Sequence, residues 1–325
     1  MRRPAPPAAS HVSQPAVACN LCGGSNVVPL YRPKRSPGPV VRCTDCGLVY
    51  VSPRERHDHI VAEARPLDVP ADLRVSKDLR ILDRRWEKPL IEDYLKEYPS
   101  KMANAHRMLA EIEQVVPKGR LLDFGTGPGL FLAAAKERGW QTYGLEPLVG
   151  FAIFARGYFG LEVTNDFLRD DTYPEGWFDV VTALQVVEHL TNPLEELRRL
   201  YRLVRKGGLL VIELPNIANI WVRILGARHR HFVEDHLYFF SPATLRQMLT
   251  TAGFQVVKEG YSTRTISLRS CLLQLARNLE AGQDAGLARA HNLVDHLPLD
   301  RASVKLNLGD IIYAFALKPR NEATG

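Results

Sequence analysis

Apolar and polar positions from residue 120 onward predict an alternation of strands and helices. Continuous apolar runs, clearest at 178–184 and 209–214, predict strands that are buried on both faces. Further strands are predicted at 121–124, 141–145, 161–164, 254–260 and 310–317, and helices at 130–138, 149–159, 194–204 and 242–252. Because parallel strands need helical crossovers, this alternation predicts a parallel sheet covered by helices on both faces.

A further helix is predicted before the first strand of this sheet. Apolar residues recur there at steps of three and four, which places them on one helical face. They are Met102, Ala105, Leu109, Ile112 and Val116. Two more amphipathic segments, 268–279 and 287–297, precede the last predicted strand.

Four of the five cysteines form two C-x2-C pairs, Cys19 with Cys22 and Cys43 with Cys46. This spacing is typical of a tetrahedral zinc site with four thiolate ligands, the second pair arriving from the other end of a β-hairpin. Disulfides and a redox pair are the alternatives, but a cytosolic chain keeps its thiols reduced. Because four protein ligands leave no open position, we expect a structural Zn²⁺ rather than a catalytic one.

The charge of the chain is concentrated near its N-terminus. The 325 residues carry a formal net charge of +6, from 42 Lys and Arg against 36 Asp and Glu. Residues 1–56 contain eight of those basic residues and two of the acidic ones, so the remainder is formally neutral. This asymmetry predicts separate modules. We expect a disordered segment 1–16, a zinc-binding module 17–56, a helical lead-in 57–118 and a large domain 119–325.

The composition, 46% hydrophobic and 24% charged, is ordinary for a globular protein and excludes a disordered, collagenous or coiled-coil chain. No apolar run reaches the ~18 residues of a membrane-spanning helix. No apolar stretch follows the N-terminal arginines, so we expect neither a secretory signal nor a membrane span, and a cytoplasmic location.

A glycine-rich turn follows the first predicted strand of the sheet. Gly125, Gly127 and Gly129 stand at alternate positions, and glycine lets a backbone approach a ligand closely. The turn differs from the dinucleotide fingerprint, which would need glycine where Leu130 stands, and no Gly-Lys-Ser/Thr follows as in a phosphate-binding loop.

Two acidic residues flank this turn. Asp123 precedes the first glycine by two residues, where a carboxylate can bind an ammonium group. Glu146 ends the next predicted strand, where an acid accepts hydrogen bonds from ribose hydroxyls. A strand-end glutamate can also be a solvated turn residue, and that alternative stays open. The combination predicts a site for a nucleoside with a cationic amino-acid tail, which S-adenosylmethionine fits.

Seven segments in a fixed order then carry a resemblance to a known family. They are 121–129, 143–147, 165–167, 178–181, 187–193, 205–210 and 236–245. Over about residues 120–318 the sequence resembles the class I S-adenosylmethionine-dependent methyltransferases, most of all the ubiquinone-biosynthesis O-methyltransferases and sugar methyltransferases. A four-cysteine module before such a domain resembles the sugar C-methyltransferases that act on nucleotide-linked deoxysugars.

The resemblance implies a fold and a set of ligand-binding residues. The fold is a Rossmann-like seven-stranded sheet of the α/β class, with the last strand antiparallel and a small zinc-ribbon-like module before it. By the same resemblance, Glu146 binds the ribose and Gln185 follows the fourth strand at the methionine end. The adenine is bound by Asp166 and the backbone of Phe167. The methionine part is surrounded by Asp123, Gly125, Gly127 and Gly129.

Methyl transfer often needs a base, and two histidines stand where this fold places its chemistry. Glu188 and His189 follow the fourth strand, at the carboxyl edge where open α/β sheets bind ligands. A histidine has the near-neutral pKa that suits a general base. A helix-start histidine bonded to backbone is the alternative for His189.

The second histidine lies in the connection between 214 and 241. In the sugar C-methyltransferases a Tyr-x-Glu-His cluster at this place is implicated in deprotonation, and here it reads Val233-Glu234-Asp235-His236. His236 matches, Asp235 is a shortened glutamate, and Val233 replaces the tyrosine. Residues 228–231 form a basic run in the same connection that could hold a phosphate or carboxylate of the substrate.

The sequence therefore predicts methyl transfer from S-adenosylmethionine to oxygen or carbon of a small-molecule acceptor, such as a sugar, nucleotide-sugar or secondary metabolite. An RNA methyltransferase is a second hypothesis, because a basic N-terminus suits phosphate contacts. The aromatics of the zinc module, Tyr31 and Tyr50, are few for base stacking. A non-catalytic zinc-ribbon interaction protein is the third, and a homodimer stays open.

Overall fold

The computed structural model describes residues 16–54, 87–268, 271–272 and 303–320. Residues 1–15, the first part of the lead-in and nearly all of the two amphipathic segments at 268–279 and 287–297 lie outside the described residues. In the part of the chain that is described, the structure has no helix long and apolar enough to cross a membrane.

The strands fall into an N-terminal group and a main group. The first three are β1 (Val27–Tyr31), β2 (Val40–Cys43) and β3 (Val49–Val51). The next five are β4 (Arg120–Phe124), β5 (Gln141–Leu145), β6 (Val163–Thr164), β7 (Phe178–Leu184) and β8 (Val204–Pro215). The last five are β9 (Tyr238–Phe239), β10 (Gln255–Tyr261), β11 (Arg264–Ser267), β12 (Ser303–Leu306) and β13 (Ile311–Leu317).

Seven α-helices lie in the described part of the chain. They are α1 (Glu87–Lys96), α2 (Tyr98–Glu113), α3 (Leu130–Glu137), α4 (Val149–Phe159), α5 (Pro193–Leu203), α6 (Ile220–Leu225) and α7 (Pro242–Thr251). Five of the seven helices, α2, α3, α4, α5 and α7, agree with the predicted periods to within a few residues, and α1 lies in the predicted helical lead-in. On α2 the predicted apolar face is buried, and Leu109 and Ile112 are fully enclosed. Short 3₁₀ turns at Val187–His189 and Gly226–Arg228 complete the connections.

The main sheet has seven strands in the order β10-β13-β8-β7-β4-β5-β6. Strands β4 to β8 pair in parallel, whereas β13 is antiparallel to both of its neighbours, β8 and β10. The predicted seven-stranded Rossmann-like sheet with an antiparallel last strand is therefore confirmed. Its parallel strands end at one edge, and that edge is where this architecture binds ligands.

The N-terminal module is joined to the main domain by a shared sheet and a shared core. β1, β2 and β3 form an antiparallel meander, and β9, from far along the chain, pairs with β3 as the fourth strand. Cys43, Leu48 and Tyr50 pack in the same apolar cluster as Leu197 of α5. The side chain of Asn20 accepts a hydrogen bond from the backbone N–H of Leu194, in the first turn of α5.

Three elements have no counterpart in the sequence prediction: β9, the short helix α6, and the hairpin of β11 with β12. β9 has two residues and α6 has six, which is too short for any period to be visible. The strands of the β11–β12 hairpin lie 35 residues apart along the chain, far from the two- to five-residue loops that mark a hairpin in sequence.

Candidate functional site

A cavity of about 1540 Å³ lies at the carboxyl ends of β4, β5 and β7. Its wall includes Gly125 and Gly127 of the glycine-rich turn, though not Gly129, together with the predicted acids Asp123, Glu146 and Asp166. His189, Asp235 and Glu234 lie in its wall as well. The structure therefore brings the two groups of candidate residues, predicted from separate motifs, around a single cavity.

The three glycines of the turn have different reasons to be glycine. All three have positive φ angles, between 56° and 90°. A Cβ at Gly125 would come within 2.5 Å of Val186, and one at Gly129 within 2.8 Å of Leu161. At Gly127 an added Cβ would have no atom within 4 Å, so this backbone faces open space in the cavity wall. Gly127 is thus the position where a ligand can lie directly against the chain.

Asp123 is the penultimate residue of β4 and is buried, 3% exposed. Thr182 of β7 donates a hydrogen bond to its Oδ1 at 2.6 Å. Burial raises the pKa of Asp123 to about 7, and the Thr182 bond opposes this rise in part. Desolvation penalises the charged form, and a cation beside the ionised carboxylate would offset this penalty and lower the pKa again. Binding of a ligand ammonium group by Asp123 stays a prediction.

Glu146 follows β5 and ties the glycine turn to the end of that strand. Its Oε2 accepts the backbone N–H of Gly127 at 2.6 Å, and its Oε1 accepts that of Leu148 at 2.8 Å. Glu146 also lines the cavity, and a carboxylate oxygen can accept more than one hydrogen bond, so hydroxyl groups of a ligand are suitable donors to it. The side chain is 4% exposed, which makes the alternative of a solvated turn residue wrong.

The other predicted cofactor residues also line the cavity. Asp166 accepts the backbone N–H of Phe167 at 2.8 Å and pairs with Arg169 at 2.8 Å. Binding of an adenine by the Phe167 N–H would require this N–H to exchange its present acceptor. Gln185 follows β7 with φ of 59°, a conformation that is uncommon outside glycine and clusters at functional sites.

Glu188, His189 and His236 form a cluster, called the histidine cluster here, of which only His189 lines the cavity. His189 lines the cavity, and its Nδ1 lies 2.9 Å from the backbone oxygen of Asp235 and 3.5 Å from its carboxylate. His236 does not line the cavity, and its ring centroid lies 4.7 Å from that of His189. One donor atom each of Glu188, His189 and His236 lies within 4.8 Å of the others.

Two of these groups are buried without a hydrogen-bond partner among the described residues. They are the carboxyl group of Glu188, 1% exposed, and Nδ1 of His236. Burial raises the pKa of Glu188 to about 7, and burial together with the nearby His189 lowers the pKa of His236 to about 4. At neutral pH the His236 imidazole is therefore neutral, and Glu188 can gain or lose a proton.

The basic run at 228–231 does not form the predicted charged patch. His229 and His231 are buried, and burial lowers the pKa of both imidazoles, to about 4 for His229. Arg230 pairs with Asp310, which is itself buried. All four residues of the run are basic in sequence, so the burial of its two histidines was not predicted.

A partly buried acid that was not predicted from the sequence lies in the same cavity wall. Glu213 of β8 accepts a hydrogen bond from the Ser262 hydroxyl at 2.5 Å, and its backbone oxygen accepts the N–H of Gln185 at 2.7 Å. Burial raises the pKa of Glu213. A single acid inside a continuous apolar run, at the carboxyl end of a predicted strand, was the signal available for it.

The four cysteines come together as predicted. Their sulfur atoms all lie within 4.8 Å of one another, with Cys19 and Cys46 at 3.4 Å and Cys22 and Cys43 at 3.6 Å. A tetrahedral site with Zn–S bonds of about 2.3 Å needs S–S distances of about 3.8 Å. The donor set and its spacing therefore fit Zn²⁺.

The two halves of this cysteine cluster have the same local backbone. Gly23 donates its N–H to the Cys19 oxygen at 2.7 Å, and Gly47 donates to the Cys43 oxygen at 3.0 Å. Both glycines have positive φ, 75° and 80°, which closes each turn behind its pair of thiols. None of the four cysteines lines the cavity, so a metal held there has no contact with the candidate active site.

Comparison with known proteins places residues 94–259 in a family described as methyltransferase domain. The ubiquinone biosynthesis O-methyltransferase of Ruegeria pomeroyi is 31% identical over 164 residues, which cover 46% of this chain and 65% of that protein. The protein of the same name from Aeromonas salmonicida is 30% identical over 151 residues, 42% of this chain and 63% of the relative. The chain thus spans just under two thirds of the length of these relatives.

Part of this chain is also similar to solved structures, at lower identity. A SAM-dependent methyltransferase from Archaeoglobus fulgidus has 21% identity and a TM-score of 0.46, over 67% of this chain and 95% of that one. One from Thermotoga maritima has 18% identity and a TM-score of 0.47, over 72% of this chain and 96% of that one.

Proposed function

Because the chain belongs to the methyltransferase domain family, we propose that it transfers a methyl group from S-adenosylmethionine to oxygen or carbon of a small acceptor molecule. The observation that carries this proposal is the single cavity in which the open backbone at Gly127, the buried Asp123 and the imidazole of His189 meet. Methyl transfer with deprotonation requires that one cavity hold both the cofactor and a group that accepts the proton of the acceptor molecule.

The cofactor end of the cavity fits S-adenosylmethionine in chemistry. When bound, this molecule supplies an activated methyl group on a sulfonium. Asp123 would bind the amino group of its methionine part, Gly127 would let the ligand lie against the backbone, and Glu146 would accept hydrogen bonds from the ribose. Each of these groups lines the cavity.

The chain's own residues would handle the acceptor's proton. His189 lies in the cavity wall, so it is the group proposed to contact the acceptor. An Nδ1–H donated to the Asp235 oxygen leaves Nε2 as the basic nitrogen. Glu188 and His236 lie within 4.8 Å behind it, where a carboxyl group with a pKa of about 7 can take the proton onward.

The size and polarity of the cavity support a hydroxylated acceptor. Its volume of about 1540 Å³ exceeds the ~300–1,000 Å³ typical for one ligand, so there is room for two molecules. Glu213, Ser262 and Arg107 line it beyond the glycine turn and offer both acceptors and donors to hydroxyl groups. A sugar, a nucleotide-sugar or a phenolic metabolite has this character, and the O-methyltransferase names of the relatives support oxygen as the methylated atom.

We also propose that the four cysteines hold one structural Zn²⁺. With all four ligands supplied by thiolates, the metal would have no open position for substrate. The metal would hold together the two turns that carry the cysteines. This would stabilise the N-terminal module, because its three-stranded meander is too small to bury much of a core of its own.

The proposed function is tested by cofactor binding and by methyl transfer. Gly127→Arg places a long side chain in the cavity wall and should abolish S-adenosylmethionine binding in titration calorimetry. Gly139→Arg is the matched control, since Gly139 also has a positive φ and open space around its Cβ but lies outside the cavity. Labelled methyl groups should then appear on a phenolic or sugar-nucleotide acceptor. Folded protein that binds no S-adenosylmethionine would refute the proposal.

A further inference from the structure

Arg54 is a buried arginine at the end of the N-terminal module, just after β3. Its side chain is 5% exposed, although it carries a guanidinium group. Burying a charge is costly unless it is paired or fully hydrogen-bonded. Among the residues that the structure describes, no carboxylate pairs with Arg54. An ion pair within the described residues therefore does not compensate the charge of this arginine, and its hydrogen bonds define its contacts instead.

The guanidinium of Arg54 joins two segments of the main domain. Its Nη2 donates to the backbone oxygen of Thr191 at 3.3 Å, and its Nη1 donates to that of Leu237 at 3.4 Å. Nη2 also donates to the hydroxyl of Tyr238 at 3.1 Å, and the guanidinium lies 4.9 Å from the centre of that ring. The Tyr238 hydroxyl donates in turn to the Thr191 oxygen at 3.0 Å, which closes the network.

The two segments that Arg54 joins are those that carry the histidine pair. Thr191 lies two residues after His189, and Leu237 is the residue after His236. Both segments are connections outside regular helices and strands, so the sheet alone does not fix their spacing. One further link, from the Leu237 N–H to the Glu188 oxygen at 2.8 Å, joins the same two segments.

From this geometry we propose that Arg54 is a positioning residue that sets the distance and orientation between His189 and His236. The proposal rests on the proposed function, because it assigns those histidines to the acceptor's proton. The planar fork of a guanidinium can bind several oxygens at fixed angles, which a lysine ammonium cannot match. A misplacement of about 1 Å at a catalytic group can cost about 10²-fold in rate. Arg54 does not line the cavity and acts through the histidines.

The position of Arg54 also links the histidine pair to the N-terminal module. β3 pairs with β9 through Val49 with Phe239 and Tyr50 with Tyr238, and Arg54 follows three residues after β3. The N-terminal module therefore holds the segment after His236 in place, through the pairing of β3 with β9 and through the hydrogen bond of Arg54 to Leu237. This gives the module a role in methyl transfer without any contact between its cysteines and the cavity.

The test compares Arg54→Met, which keeps the buried length but removes all donors, with Arg54→Lys, which restores a cation and some donors. Arg54→Met should lower kcat roughly 10- to 100-fold, while KM for S-adenosylmethionine and its dissociation constant stay within about twofold. Arg54→Lys should recover part of the loss, and Tyr238→Phe should show a smaller loss in the same direction. Arg156→Met is the control, because it removes another part-buried guanidinium that donates to a backbone oxygen, of Val163, elsewhere in the fold.

A second measurement keeps the proposal separate from the proposed function. In nitrogen-15 spectra of histidine-labelled protein, Arg54→Met should shift the imidazole signals of His189 and His236, and Arg156→Met should not. Unmoved imidazole signals, or a kcat per cofactor-binding site equal to that of the wild type, would overturn the role of Arg54. If the wild type transfers no methyl group, the proposed function fails, and the imidazole signals still decide whether Arg54 positions the pair.

Discussion

Replacing Asp123 by asparagine tests whether one buried carboxyl group controls the pH dependence of cofactor binding. In the free protein, burial raises the pKa of Asp123 to about 7. Only the ionised form attracts a ligand ammonium group, and the bound cation would lower this pKa again. The affinity for S-adenosylmethionine should therefore rise with pH up to about 7 and fall as the carboxyl group is protonated below it.

The size of the effect follows from the ionised fraction. A carboxyl group with a pKa of about 7 is roughly half ionised at pH 7 and roughly one tenth ionised at pH 6. The dissociation constant should thus be about fivefold weaker at pH 6 than at pH 7, or about 1 kcal/mol. At pH 7 about half of the binding events should release a proton.

The assay is titration calorimetry between pH 5.5 and 7, a range in which the ligand's own α-amino group stays protonated because its pKa is about 8. Titrations in two buffers of different ionisation enthalpy count the protons released. The affinity of Asp123→Asn for S-adenosylmethionine should not change with pH over this range, and its binding should release no protons. Thr182→Val is the control: it keeps the carboxyl group but removes the bond that lowers its pKa, so the pH dependence should persist with a higher midpoint. An equal slope in the wild type and Asp123→Asn would refute the reasoning.

Three further predictions concern the metal site and the histidine cluster. Metal analysis should give about one zinc per chain, and Cys43→Ser should lose it and lower the melting temperature, whereas Cys271→Ser, outside the cluster, should do neither. His189→Ala should lower kcat by about 10²- to 10⁴-fold and His236→Ala less, with cofactor affinity unchanged in calorimetry; equal turnover to the wild type would remove either as a base. Because the pKa of Glu188 is raised to about 7 in the folded protein, ionisation of this group should reduce the stability as the pH rises from about 4.5 to 7. Asp123, whose pKa is raised to a similar value, contributes in the same range, so Glu188→Gln should lose less stability over this range than the wild type in thermal melts. Parallel pH profiles of the two proteins would contradict the role of Glu188.

Much of the main domain could be predicted because its signals are local. Strands β5 and β7 and helix α4 have the predicted bounds, since each is a single apolar run or period closed by turn residues. The glycine turn and the acids around it were found for the same reason, as their spacing along the chain reflects one strand-turn-helix unit.

The rest depends on contacts between distant segments, which leave little trace in a single sequence. His189 lines the cavity and His236 does not, and this difference depends on how the two segments pack together, which neither motif shows. The histidines of the basic run, His229 and His231, look like surface residues by sequence, yet tertiary packing buries them. Arg54 looks like one more charge of a basic N-terminus, and its role is visible only beside Thr191 and Leu237.

The pairing of β3 with β9 has a consequence for how the chain must fold. Tyr50 meets Tyr238 across this pairing, so the module's sheet is complete only after a segment nearly two hundred residues later has arrived. Until then β3, all of whose residues are buried in the folded protein, is an apolar edge strand open to pairing with other chains. Forming so distant a contact is slow. An isolated N-terminal module, cut anywhere before β9, would keep its thiols but expose that edge, and would aggregate rather than behave as a free zinc domain.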